Sequence, residues 1–284
     1  MKYLFSRLLR GFARACHERS VVAAIVCLTL AFVACSDGDS DFVTRPSDGS
    51  SSSVCEDCDD GSSSSAKSSS SSSKSLDSVV GCKTETEDNC EYGELVDDRD
   101  GQTYKTVKIG DQVWMAENLN YETDSSFCYN NNESNCTKYG RLYTWAAVVG
   151  KSESECGYGY TCSLLSGNIQ GVCPEGWHLP SKAEWETLFN AVDGQSTAGR
   201  VLKSTSGWES NGNGTDSFGF SALPAGYREN NVDYYNEGGL ALFWSSTENI
   251  SFSAYYMGLD FNHDDAGLNY DDKNSEFSVR CLQD

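Results

Sequence analysis

The chain has 284 residues, with 42 acidic against 21 basic side chains and a formal net charge of −21. A field of that sign repels phosphate backbones and anionic lipid headgroups, which excludes nucleic acid as a partner and favours cations or neutral partners such as polysaccharide. Twenty-six glycines against four prolines predict many loop positions with left-handed backbone.

The first segment carries Lys2, Arg7, Arg10, Arg14 and Arg19, then an apolar run from Val21 to Ala34 that closes on Cys35. The run is short for a membrane span, and small Ala34 before a cysteine suits lipoprotein processing. Residues 1–34 are therefore predicted to be a signal peptide, with Cys35 the lipidated N-terminus. Ser36 rather than aspartate after it favours passage to the outer membrane, so the expected address is the cell envelope, lipid-anchored, at the outer membrane or cell surface. Removing the signal leaves a net charge of about −25. Residues 35–80 are dominated by serine and cannot bury enough apolar surface to offset their ordering entropy, which predicts a disordered spacer. Residues 81–94 read as a small cysteine-clipped lead-in, and 95–284 as one folded domain with room for a real core.

Ten cysteines follow Cys35: Cys55, Cys58, Cys82, Cys90, Cys128, Cys136, Cys156, Cys162, Cys173 and Cys281. An even count in an oxidising compartment reads as disulfides. The spacing favours local clips, 55 with 58, 82 with 90, 128 with 136 and 156 with 162, which leaves Cys173 and Cys281 for each other; sequence alone does not fix this connectivity. Zinc is a poor rival, because only Cys55-Glu-Asp-Cys58 has the paired spacing and no second pair accompanies it.

Within the domain, Tyr104 to Ile109 and Gln112 to Met115 flank Gly110-Asp111 and predict a β-hairpin. Leu142, Trp145, Ala146 and Val149 recur at helical spacing, predicting a short helix within 139–150. Ser181 and Glu184 form a capping box ahead of the apolar stripe Trp185, Leu188, Phe189 and Val192, so a helix is predicted over 181–192, with a second over 197–203. Short strands follow at 218–227, 242–247, 254–261 and 277–282. Hairpin, helices, then strands indicate an α+β domain with an antiparallel sheet, two or three short helices and many loops.

Five blocks carry a family likeness: Asp100 to Leu119, Tyr139 to Trp145, Cys173-Pro-Glu-Gly-Trp-His-Leu-Pro-Ser181, Phe243 to Thr247, and Ser278-Val-Arg-Cys281. In this order they resemble the Fibrobacter succinogenes major paralogous domain across 95–284. That family is similar to a distant branch of the C-type-lectin-like fold shared with formylglycine-generating, sulfatase-modifying proteins, whose helix-start element resembles His178 to Trp185. The resemblance implies a bridge from Cys173, near a helix start, to Cys281 on the last strand. It implies no established activity. The copper-binding cysteine pair of the sulfatase-modifying enzymes has no match, since Cys281 is the sole cysteine after Cys173.

Catalytic signals are sparse. The mature chain has two histidines, His178 and His263, neither in a recognisable catalytic motif, and His178 reads as a structural group near a helix start. Asp260, Asn262 and Asp264 place hard oxygens in one acidic stretch that suits calcium, although the EF-hand glycine and glutamate are missing; the competing reading is a solvated loop joining two strands. Tyr234, Tyr235 and Trp208 are the aromatic ligand-binding candidates, because sugar rings stack on exposed amphipathic rings. The expectation is a lipid-anchored, non-catalytic binding module for glycan or another surface component; the alternatives are a sulfatase-modifying-type enzyme and a purely structural envelope protein.

Overall fold

The computed structural model describes residues 79–230 and 232–284. The predicted signal peptide, Cys35, the spacer and the Cys55–Cys58 pair lie outside the described residues.

Five strands make the main sheet, in the order β1-β2-β3-β12-β6. β1 (Tyr92–Val96) and β2 (Thr103–Ile109) pair antiparallel, and β2 continues through Gly110, whose φ of 61° gives the hairpin its left-handed corner, into β3 (Gln112–Met115). The predicted hairpin is present. Its partner β1 begins at Tyr92, three residues before the expected domain start. β6 (Trp177–His178) and the C-terminal β12 (Leu282–Gln283) complete the sheet. A second sheet, β11-β10-β9, runs antiparallel through β9 (Leu240–Ile250), β10 (Ser253–Asp260) and β11 (Ala266–Asp272). Two small hairpins pair β4 (Ser126–Phe127) with β5 (Leu142–Tyr143), and β7 (Tyr227–Glu229) with β8 (Asp233–Tyr235). The domain is α+β, with small antiparallel sheets and short helices.

Among the described residues the α-helices are α1 (Glu133–Tyr139), α2 (Trp145–Val148), α3 (Glu153–Cys156), α4 (Lys182–Ala191) and α5 (Gln195–Leu202). α4 starts as predicted: Ser181 Oγ accepts from the Glu184 amide, and the Glu184 carboxylate accepts from the Ser181 amide at 2.7 Å. The single helix expected over 139–150 is instead the end of α1, strand β5 and one turn of α2. Gly140 breaks the run, because its φ of 73° is closed to most side chains and a Cβ there would strike Asn118 and Leu119. The segment 218–227 makes isolated bridges at Ala222 and Gly226 and reaches a strand only at Tyr227, the start of β7, and 277–282 is mostly bridge-like, its ladder shrinking to β12.

Two apolar clusters fill the interior. In the first, Trp185 from α4 stacks on Trp114 at 4.6 Å between centroids, with Phe220, Phe243 and Leu202 around them. In the second, Trp244 stacks on Phe277 at 4.3 Å beside Trp145, Tyr143 and Val279. Trp114, Trp145, Trp177 and Trp244, all from the resemblance blocks, are core residues. Four disulfides staple the domain: Cys82–Cys90, Cys128–Cys136, Cys156–Cys162 and Cys173–Cys281, the last spanning 108 residues.

Candidate functional site

The end of the chain turns inward. Arg280, two residues before β12, is 1% exposed. Its Nε donates to Asn118 Oδ1 at 2.8 Å, Nη1 donates to the Phe220 carbonyl, and Nη2 donates to the Ser221 carbonyl at 3.1 Å. The guanidinium lies over the Phe220 ring at 4.2 Å. No carboxylate among the described residues reaches ion-pair distance of it, so neutral acceptors hold a positive charge inside the domain. Burial pulls its pKa down to about 9, opposed by the more distant Asp216 and Glu117, and it remains a cation at neutral pH. Asn118 is fixed in turn, its Nδ2 donating to the Tyr139 carbonyl at 2.8 Å.

Arg280 and Asn118 form the floor of an open cleft of about 340 Å³. One wall comes from β2 and the segment after β3, with Gln102, Lys105, Glu117 and Asn120; the other comes from α1, with Thr137 and Lys138, and from Ser204 and Ser221. The first wall is tied together internally. Gln102 and Asn120 pair at 2.9 Å, the Asn120 amide donates to Tyr104 Oη at 3.1 Å, and Glu117 accepts from the Lys105 amide at 2.6 Å. Burial pushes the Tyr104 phenol up to about 12, so it stays protonated here. The lining is thus a fixed set of amides and hydroxyls with a few charges, suited to hydrogen-bonding a polar ligand.

A family model described as the Fibrobacter succinogenes major domain matches residues 107–283, more than half of the chain. The chain belongs to that family. No curated protein and no solved structure matches it. Most of the cleft lies within the matched segment, and its floor joins two of the blocks that carried the resemblance, Asp100 to Leu119 and Ser278 to Cys281.

The structure does not gather the residues singled out in the sequence. Trp208 is buried at 5% exposure, and its Nε1 donates to Ser204 Oγ and the Ala222 carbonyl, both at 3.1 Å; it is a core residue and not an exposed stacking ring. Tyr234 and Tyr235 lie on strand β8 rather than in a loop, so they face opposite ways and share no platform. Tyr234 Oη donates to Asn131 Oδ1 at 2.8 Å and its ring meets Tyr129 edge-on, whereas Tyr235, 40% exposed, lies against Tyr227.

The acidic stretch divides: Ala266–Asp272 is strand β11, and only 261–265 connects two strands. A cation of the protein's own lies against the backbone of this stretch. Lys203, 2% exposed at the end of α5, sends Nζ to the carbonyls of Asp260 at 2.8 Å and His263 at 2.9 Å. Asp260 Oδ1 accepts from the Asn262 amide at 3.0 Å, and the Arg200 amide donates to the Asp264 carbonyl at 2.9 Å. Gly199 allows this approach, since a Cβ would collide with the backbone of Asp264 and Asp265. The ammonium takes the main-chain oxygens of Asp260 and His263, not the side-chain oxygens that suggested calcium.

His178 is 3% exposed and bridges two carboxylates, Nδ1 to Asp284 Oδ1 at 2.7 Å and Nε2 to Glu184 Oε1 at 3.0 Å. Burial would push the imidazole down, but these hydrogen bonds outweigh it and hold the pKa above its ordinary value. The same contact, with the Ser181 cap, keeps the Glu184 carboxyl low against its own burial. His178 thus joins the α4 capping box to the C-terminal residue. Cys281 Sγ is bonded to Cys173, so its thiol is not available as a copper ligand.

Proposed function

We propose that this domain is a non-catalytic binding module of the cell envelope that recognises glycan in the Arg280 cleft, displayed through lipid at Cys35 and the serine-rich spacer. The observation that carries the reading is the cleft itself, open and lined by Gln102, Asn118, Asn120, Thr137, Ser204 and Ser221. Such groups match the hydroxyl-rich edge of a sugar, which both donates and accepts hydrogen bonds. The disulfides suit an oxidising compartment and the acidic surface suits an exported, soluble head. A C-type-lectin-like ancestry agrees with the long bridge between a cysteine ahead of α4 and the last strand. Outer-membrane or cell-surface residence follows from the Cys35 signal.

Full-length protein incubated with insoluble polysaccharides, with and without chelator, tests the reading. Retention that survives chelator and is lost in Thr137→Trp, which places a large ring on an exposed helical position at the cleft rim, is the expected result. The absence of retention on every polysaccharide removes the glycan reading.

A further inference from the structure

The charges around the cleft oppose those of the molecule. The chain carries a net −21, yet the cleft is lined by three cations, Lys105, Lys138 and Arg280, against one carboxylate, Glu117. Each cation lies against an aromatic ring rather than in an ion pair. Lys138 Nζ sits 4.3 Å from the centre of the Tyr139 ring, and Lys105 Nζ sits 3.4 Å from that of Tyr92. Neither is within ion-pair distance of a carboxylate among the described residues. Arg280, 1% exposed, is held by carbonyl and amide oxygens beneath the cleft, so its charge reaches the opening as a field rather than by contact.

We propose that the cleft takes an acidic sugar, a glycan residue bearing a carboxylate, in preference to a neutral one. The inference rests on the glycan reading above and adds the charge of the ligand. The hydroxyls and ring oxygen of the sugar meet the amides and hydroxyls of the walls, and the carboxylate faces the floor and the two lysines. Glu117, already accepting from the Lys105 amide, stands on the same wall as Gln102 and Asn120 and serves sugar hydroxyls as an acceptor. A neutral sugar would leave the positive potential unanswered. A partner of the opposite preference, a cation, would meet net repulsion here while the rest of the surface attracts it.

Titration calorimetry on the full-length protein with D-glucuronate, D-glucose and acetate, at low and high ionic strength, tests this. Glucuronate is expected to bind at least about tenfold more tightly than either glucose or acetate, and to weaken as salt is raised. Lys138→Glu and Lys105→Glu, both at exposed positions, are each expected to weaken glucuronate by about tenfold while leaving the melting temperature near that of the parent. Arg280→Lys is a further variant, but its loss of binding counts only if its melting temperature is retained. Glucose binding as tightly as glucuronate, with Thr137→Trp abolishing both, overturns the charge inference and leaves the glycan reading standing. Acetate binding as tightly as glucuronate overturns the sugar assignment. Glucuronate binding unaffected by both lysine variants places the site elsewhere and overturns the proposal.

Discussion

At the scale of single residues, buried charge decides most of what the fold can tolerate. Arg280 cross-links Asn118, Phe220 and Ser221 to the last strand with no carboxylate partner among the described residues. Arg280→Met would leave those acceptors unpaired, and a loss of about 3 kcal/mol or more in denaturant unfolding is expected. Two further groups make stability depend on pH with the same sign. His178 is held above its ordinary value, so its contribution is complete below about pH 6.5 and fades as pH rises through the folded pKa. Burial pushes the Glu276 carboxyl up to about 8, although Arg228 lies 3.0 Å away and opposes the shift. Its contribution is likewise complete at acidic pH and lost as pH climbs towards 8. Melting temperature is therefore expected to fall from pH 6 to pH 9, and His178→Asn and Glu276→Gln should each flatten part of that slope. A slope unchanged in both variants would refute the assignment.

At the scale of elements, the long disulfide is the dominant staple. Cys173–Cys281 closes 108 residues and Cys82–Cys90 only 8. Loop entropy makes these worth about 4.8 and about 2.5 kcal/mol, so the paired serine variant of the first should lower stability roughly twice as much as that of the second. Ser181→Ala should cost about 1 kcal/mol through the lost α4 cap. The cap was readable in advance because a capping box is a local signal, whereas the long bridge was reached only as the pair left over from local clips and through the family resemblance. The hairpin β2–β3 and strands β9 and β10 were readable from local signals too, each being bounded by turn residues. What escaped the reading depends on distant partners. β11 looks like an acidic loop, since Asp271 and Asp272 hide a strand whose register is set by β10. Trp208 follows a glycine in a polar stretch, and nothing local announces that its indole reaches Ser204 and Ala222. The cleft escaped for the same reason: its walls come from five separated segments, and Arg280 within Ser-Val-Arg-Cys is visible as a family residue but not as a buried cation.

At the scale of the whole molecule, a strongly acidic chain folds so that one cleft is lined by three basic side chains and one carboxylate among hydrogen-bonding groups. Lys203 and Lys273 are buried cations too: Lys203 ties α5 to the 260–263 segment, and Lys273 joins Glu248 to the Tyr160 carbonyl at 2.7 Å. Both are fully used within the fold, as is Arg280, which differs only in that it lies beneath an open cleft. If export through Cys35 carries this head to the envelope, as proposed above, mass spectrometry of the membrane fraction is expected to find an acylated Cys35 with no residue N-terminal to it. The central claim, that the Arg280 cleft is a glycan site, is tested most directly by comparing the full-length protein and its Thr137→Trp variant on one array of neutral and acidic glycans. The account predicts retention of the parent, strongest on carboxylate-bearing glycans, and its loss in a variant that melts at the same temperature. Equal retention of the two proteins would contradict it.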